Sequence, residues 1–454
     1  MVCGGVRRNT AAPDSAANAA AYVSAYGNEA VAAAIPLPGM RAAIGPDGVV
    51  GFVDVTGARV VAGSPMPGPP EATEDLPPLA PGPRNVVRFG RELRDDESVP
   101  EAAYVVGEQP WWNLARWDDT IRSTPSLRSQ IRRAARKGVR IRECDAADLG
   151  EGTALRRTVE ALIDDWMRAR HMPPLAFVAR VDPLRLLGFR RVFVAELDAA
   201  LIGVCFAFPL DHRRAWLIDH VLRARAAPNG TAEALVDVAM RALAASGAER
   251  ATLGLCPLAG RVPPALWLVR HVSRGLFDFR GLYEFKAKLQ PTHWQRVLVE
   301  HPRQSAPMAT LRALRAFAGG SLSRFAAGAA LRAPPALLRL VAALLCLWIA
   351  VLALPAASGY FPHEWQRRAW IGFDVIVATA LFRLAAQAAR RRPAPVLHRV
   401  LAVFVTLDAV ITSAQAVAWN AGRVDSLMSA LLVAVACAAP WTVAVVLWSS
   451  LRFR

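Results

Sequence analysis

Apolar positions follow two different rhythms along this 454-residue chain. Between about Tyr22 and Pro302 they come in short strand-like runs, broken by Gly, Pro and polar residues and interleaved with stretches of helical spacing. From about Pro335 onward the runs lengthen to roughly twenty residues, enough to cross a hydrocarbon core of about 30 Å. Within the first rhythm, Val49–Val55 and Ala58–Ala62, joined through Thr56-Gly57, predict a hairpin, and the Pro-rich stretch from Ser64 to Pro83 predicts a loop. Asn85–Phe89 and Ala103–Val106 predict further strands, and Ser126–Lys137 a basic helix stopped by Gly138. The plan then repeats more cleanly. Helix Ala154–Arg170 leads to strands Val192–Glu196, Leu201–Phe208 and Arg214–Asp219, a Pro-Asn-Gly turn, helix Ala232–Ser246 and strand Ala251–Leu255, with a last strand expected over Gly281–Lys286.

Helices followed by a mostly antiparallel sheet, then strand, Gly loop and helix, is the layout of a GNAT-type acyltransferase. The expected fold class is therefore α/β (α+β), a tandem GNAT-like fold followed by a four-helix transmembrane segment. The boundaries drawn are a flexible N-terminus over 1–19, a first GNAT-like subdomain over 20–120, and a second, with the active site, over 121–302. A basic juxtamembrane segment over 303–334 and four membrane helices over 335–454 complete the chain. The four runs are Ala336–Pro355, Trp370–Ala389, Arg399–Trp419 and Leu427–Ser449. Arg390, Arg391 and Arg392 between the second and third, with Arg452 and Arg454 at the end, place the catalytic region and the C-terminus on the cytoplasmic side of a bacterial-type inner membrane. Arg367 and Arg368, in an outer loop, vote against. Inside the runs, Arg383 and Asp408 reach similar depth, which predicts an ion pair between them.

Composition sharpens this picture. Apolar residues make up 54% of the chain and mean hydropathy is +0.26, with the excess at the C-terminal end. No apolar signal-peptide core follows Met1, so a cleaved leader is not expected. The six cysteines show no CxxC spacing, so neither a zinc site nor a disulfide frame is expected, and no metal or cofactor is implied. The net charge of +17 points to polyanionic partners, nucleic acid or anionic lipid. From Arg303 to Arg332 there are five arginines and no acid, with Leu311, Leu314 and Phe317 at helical spacing, as in a segment lying on anionic headgroups. Only three lysines occur against 51 arginines, and two of them, Lys286 and Lys288, stand two residues apart. A position that keeps an ammonium in so Arg-biased a chain is a candidate for chemistry that guanidinium does not do.

The loop Arg223-Ala224-Arg225-Ala226-Ala227-Pro228-Asn229-Gly230-Thr231-Ala232-Glu233 leaves a strand, turns at Gly230 and opens a helix. Exposed amides there, with Arg223 and Arg225 beside them, make a phosphate site, contacted through Asn229, Gly230 and Thr231. A plain turn with Thr231 as helix cap is the simpler reading of the same residues. Asp219 ends the preceding strand, and His220 follows it as a less favoured base.

Several stretches in this order resemble a known family. They are Leu127-Arg128-Ser129-Gln130-Ile131-Arg132-Arg133-Ala134, the loop Arg223 through Glu233, Gly254-Leu255-Cys256-Pro257-Leu258-Ala259-Gly260, and Phe279 through Pro291 with Trp294 after it. Together they resemble the C-terminal synthase domain of the phosphatidylglycerol lysyltransferases, weakly before residue 120 and well after it. The resemblance implies a tandem GNAT fold that moves an aminoacyl group from aminoacyl-tRNA to the glycerol hydroxyl of phosphatidylglycerol, altering membrane charge in the way linked to antimicrobial peptide resistance. Aminoacyl-tRNA is then a co-substrate, with phosphatidylglycerol and the bilayer as further partners. For that chemistry candidate roles are assigned, Lys286 by its match to the family's lysine and the others from the chemistry, with ordinary capping acids and a solvated helix face as the plain alternatives. Asp219 orients the amino acid or takes the proton, Glu233 binds the aminoacyl ammonium, and Lys286, as a strand lysine with Lys288 on the same face, holds a phosphate or the oxyanion. Arg132, Arg133 and Arg136 track the tRNA backbone. The chain departs from the best-known members, whose long membrane domain precedes the synthase, so neither lipid flipping nor lysine as the amino acid carries over. Two other readings stay open: an acyl-CoA-dependent transferase using the same loop, and an inactive membrane-anchored module that binds RNA or anionic lipid.

Overall fold

The computed structural model describes residues 13–452 apart from 70–75, 171, 261, 265, 268–269, 271–276, 303, 323, 326–333, 390–393, 421 and 423–426. Most of the expected flexible N-terminus, Arg303, Arg332, the three arginines Arg390 to Arg392 and Arg454 therefore lie outside the described residues. The chain divides into two units, residues 1–170 with 174–325, and residues 171–173 with 326–454.

The first unit is a mixed α/β structure. In chain order it contains α1 (Pro13–Tyr26), β1 (Arg41–Gly45), β2 (Gly48–Val55), β3 (Ala58–Met66), β4 (Val86–Glu92), β5 (Ala103–Asn113), α2 (Trp117–Ser123) and α3 (Pro125–Arg136). Next come β6 (Arg140–Cys144), α4 (Ala154–Arg168), β7 (Arg191–Leu197), β8 (Ala200–Leu210), β9 (Ala215–Arg223), α5 (Thr231–Ala245) and β10 (Arg250–Thr252). Last are β11 (Cys256–Pro257), α6 (Phe279–Lys288), β12 (His293–Glu300) and α7 (Ala306–Phe317). All twelve strands join one sheet in the order β1-β2-β3-β4-β12-β5-β10-β9-β8-β7-β6, with β11 pairing β5. The order interlaces the two segments drawn from the sequence. β5 precedes residue 120 yet pairs β10, while β12, the last strand, inserts between β4 and β5. A cut at residue 120 separates β5 from the half of the sheet it completes.

Period-two alternation explains why β7 reads as an unbroken apolar run. Val192 and Val194 pack with Val159 and Leu162 of α4, whereas Phe193 and Ala195 pack with Leu235, Ala239 and Met240 of α5. Both faces are covered, so every residue from 192 to 195 is apolar and buried. On the other half, α7 buries Ala309, Ala313 and Ala316 in the core shared with β3 and β4, and Phe317 stacks edge-on against Phe89 and Phe177. Leu314 stays exposed. The start of the expected juxtamembrane segment is thus part of this core.

Residues 279–288 form helix α6, not the strand expected over Gly281–Lys286. The Asp278 carboxylate accepts the Gly281 N–H at 2.8 Å as a cap, Arg280 pairs with Glu284 one turn on at 2.6 Å, and Phe285 and Leu289 pack on the core at a helical spacing of four. The aromatic alternation of Leu282-Tyr283-Glu284-Phe285 imitates a strand, and the cap overrides it. Lys286 and Lys288 are therefore on different sides of a helix, not on one strand face.

The second unit contains α8 (Pro334–Ala353), α9 (Glu364–Ala389), α10 (Pro395–Gln415) and α11 (Leu427–Arg452), packed through Leu338, Leu381, Leu401 and Leu447. Four helices stand where four spans are expected. Among the described residues two stretches, Glu364–Ala388 and Pro395–Asn420, are long and apolar enough to cross a membrane by length and composition, and the others, Leu338–Ala353 and Leu432–Val445, are shorter. The expected Arg383–Asp408 pair does not form. Arg383 is exposed, and the acid that Asp408 faces is Asp374 of α9.

Candidate functional site

β9 and β10 run parallel, and their pairing lasts only from Ala215–Leu217 against Arg250–Thr252. Beyond it β9 continues along β8 to Arg223, while the other strand swings away to pair with β5 at Glu108 and Gly107. A cleft at the C-terminal ends of diverging parallel strands is where α/β sheets bind ligands. The N-terminus of α5 stands beside it, reached through the loop 224–230.

Gly230 is the N-cap of α5 at φ +99°, a left-handed conformation that favours glycine. It also lies against α3, where a Cβ would strike the carbonyl of Gln130. Thr231 does not cap the helix. Its hydroxyl turns back to donate to the Pro228 carbonyl at 2.7 Å, and Ala234 N–H closes the first turn on Gly230 O at 2.9 Å. Arg223, Arg225 and Asn229 stand on or beside the loop, and neither arginine has an acidic partner among the described residues. The same holds for Arg132, Arg133 and Arg136 on α3, a helix with no acid in its sequence. Close packing of Gly230 on the Gln130 carbonyl brings the loop against α3, whose arginines Arg132, Arg133 and Arg136 are exposed.

Two of the acids expected in the site stand near the cleft in different states. Glu233, in the first turn of α5, is buried and pairs with Lys288 Nζ at 2.5 Å, the lysine side chain remaining one-third exposed. Asp219 lies within β9, four residues before its end. Arg190 Nη1 donates to both of its oxygens at 2.7 and 2.9 Å, and His220 Nδ1 stands 3.0 Å from one of them. Burial pushes the Asp219 carboxyl up, but Arg190 and His220 outweigh it and hold the group well below the usual carboxylate range. So firm a carboxylate is a poor proton acceptor and a good anchor.

Lys286 is 5% exposed and donates to three successive carbonyls, Leu253 at 2.6 Å, Gly254 at 2.8 Å and Leu255 at 3.2 Å. An ammonium has three donors, and all are used. Burial pulls its pKa below the ordinary lysine value, opposed by the neighbouring Cys256 thiol. Lys286 thus fixes the segment that follows β10, and does not meet Glu233 or Asp219. Among the described residues no group of three or more His, Cys, Asp or Glu side chains could hold a metal. The sequence singles out Asp219, the loop and both lysines, but not Arg190. One arginine among 51 carries no signal until the sheet places it opposite Asp219.

Residues 121–299 match the family model for the phosphatidylglycerol lysyltransferase C-terminal domain. The resemblance seen in the sequence holds for this segment, which contains the cleft, α3 and both lysines. The C-terminal domain of a putative lysylphosphatidylglycerol synthetase from Agrobacterium fabrum shares the fold at a TM-score of 0.53 and 17% identity, over 68% of this chain and 99% of that one. L-PGS from Bacillus licheniformis does so at 0.52 and 19%, over 66% and 96%. No curated protein matches the sequence.

Proposed function

We propose that this chain is a membrane-anchored aminoacyltransferase, moving an aminoacyl group from aminoacyl-tRNA to the glycerol hydroxyl of phosphatidylglycerol. The observation that carries this is the family match over the segment that holds the loop 223–233, both lysines and the acid-free basic helix α3. A GNAT-like core suits transfer between two phosphate-bearing substrates. In the step, the lipid hydroxyl oxygen bonds to the ester carbonyl carbon, the bond from that carbon to the tRNA ribose oxygen breaks, and the proton passes from the hydroxyl to the departing ribose. No electrons are exchanged, so no redox cofactor is called for.

Glu233 is the residue for the aminoacyl ammonium, which replaces Lys288 on its carboxylate and frees that lysine for a phosphate. Asp219, held by Arg190, fixes β9 and the start of the loop. Lys286 keeps the opposite wall in place. Arg223 and Arg225, with the amides of Asn229 and Gly230, suit a phosphate, and Arg132, Arg133 and Arg136 suit the tRNA backbone. The apolar helices α9 and α10 anchor the protein at the inner leaflet, where charged tRNA and anionic lipid meet. The test is mass spectrometry of lipids from cells making the wild type or Glu233→Gln. An aminoacylated phosphatidylglycerol present only with the wild type is expected, and its mass names the amino acid. If the wild type, membrane-inserted in a host that supplies phosphatidylglycerol, yields no such lipid, the proposal fails.

A further inference from the structure

A cavity of about 730 Å³ lies within the second unit, a volume suited to a small organic ligand. Its wall is mostly aliphatic, with the indoles of Trp348 and Trp370, and two acids reach it, Asp374 from α9 and Asp408 from α10. Most polar groups of this wall are already matched. Thr412 donates to Asp408 at 3.1 Å, and Gln415 bonds both Trp370 Nε1 and the Tyr360 carbonyl, each at 3.3 Å. Two acceptors are not matched. Among the described residues Asp374, 6% exposed, receives no hydrogen bond, and the buried Oδ1 of Asn420, on the same wall, has no partner. No lysine, arginine or histidine pairs with either acid among the described residues.

Buried acceptors without donors are costly, and acids at bilayer depth face a partner or a cavity. The group that matches them has to donate hydrogen bonds and carry positive charge. It also has to present an apolar body to the rest of the wall. A metal ion meets the first demand poorly, since this wall offers too few oxygens, and the second not at all. An ammonium with three N–H donors on an aliphatic chain meets both, and the two indoles add faces suited to a cation.

We propose that this cavity binds the primary ammonium of an amphipathic amine, with Asp374 and Asp408 as its anionic ligands. The site is independent of the transfer reaction above. The same chemistry is offered by a membrane lipid with an amine head group and by a free aliphatic amine.

The experiment uses the full chain purified in dodecylmaltoside. Dodecylamine is expected to bind saturably, read as a rise in melting temperature and by native mass spectrometry, while dodecanol of equal chain length is not. Asp374→Asn and Asp408→Asn are each expected to weaken dodecylamine binding about tenfold, close to 1.4 kcal/mol. Equal stabilisation by dodecanol overturns the proposal, as does unchanged affinity in both variants. Should Asp374→Asn fail to fold, Asp408→Asn and the contrast between amine and alcohol on the wild type still decide. In the source arm, displacement of dodecylamine by phosphatidylethanolamine but not by phosphatidylglycerol identifies a lipid amine. Retention of dodecylamine against both lipids identifies a free amine.

Discussion

The two halves of the sheet solve one geometric problem in opposite ways. Each contains a single pair of adjacent parallel strands, β3 with β4 and β9 with β10, and in each the pair diverges after a short register. In the first half the opening is wedged shut. The Glu29 carboxylate accepts the Ser64 N–H of β3 at 2.5 Å and the Glu92 N–H of β4 at 3.3 Å, joining both strands beyond their paired stretch. Gly63 and Gly90 hold positive φ at the divergence, and a Cβ on them would strike the Glu29 carboxylate and Val31. Behind the wedge, Glu92 is tied to Gln109 at 2.8 Å and to Arg213 at 2.5 Å, whose guanidinium lies 4.4 Å from the Trp111 ring centre. In the second half Lys286 grips only the departing segment, and no side chain among the described residues hydrogen-bonds both strands past the register. The crossover differs too, since α5 connects β9 to β10, whereas the described residues between β3 and β4 form no helix. One parallel pair is closed by a buried carboxylate, and the other stays open.

Breaking the open half has the largest expected effect. Glu233→Ala lowers aminoacylated lipid about 100-fold by mass spectrometry, while Glu29→Gln leaves it within about twofold. Equal loss in both variants would erase the functional asymmetry. Next, Lys286→Met strands three carbonyls next to the cleft and destabilises the first unit by about 2–4 kcal/mol in denaturant unfolding.

A pH titration sharpens the wedged half. Burial pushes the Glu29 carboxyl up to about 7 from an ordinary value of 4.5, with Glu92 adding to the shift against hydrogen bonds from Ser64. The folded state therefore keeps this proton longer than the unfolded chain does. Its contribution to stability is greatest below about pH 4.5 and declines as pH rises to about 7. Glu29→Gln flattens that decline in melting temperature measured between about pH 5 and 8. The smallest effect concerns the basic helix α3. Replacing Arg132, Arg133 and Arg136 with Gln lowers the slope of log affinity for tRNA against log salt by roughly one for each phosphate no longer neutralised.

Local patterning made most of the second half legible. Helix Ala154–Arg170, the three strands that follow, the turn at Gly230 and α5 all stand within a few residues of their expected bounds, because each is stabilised by neighbours in sequence. Gly230 carried its own signal, since a left-handed turn against a helix accepts little else. What escaped depends on distant partners. The Arg190–Asp219 pair bridges residues 29 positions apart, and the Glu29 wedge reaches a strand 63 positions away. At Gly281–Lys286 the alternating aromatics pointed to a strand, and the Asp278 cap with the core packing of Phe285 and Leu289 decided for a helix. In the second unit the lengths of the apolar runs were legible, while the facing of Asp408 to Asp374 rather than to Arg383 depends on how α9 and α10 are rotated.

The insertion of β12 between β4 and β5 also sets a schedule. During synthesis β4 and β5 emerge early, with their facing edges unsatisfied until residue 300 has left the ribosome. Neither half of the sheet can finish before almost the whole first unit has been made, so a chain stalled short of β12 exposes two bare strand edges at once. Such a chain is a substrate for chaperones, and the apolar helices that follow reach the exit tunnel at about the moment the sheet first becomes able to close.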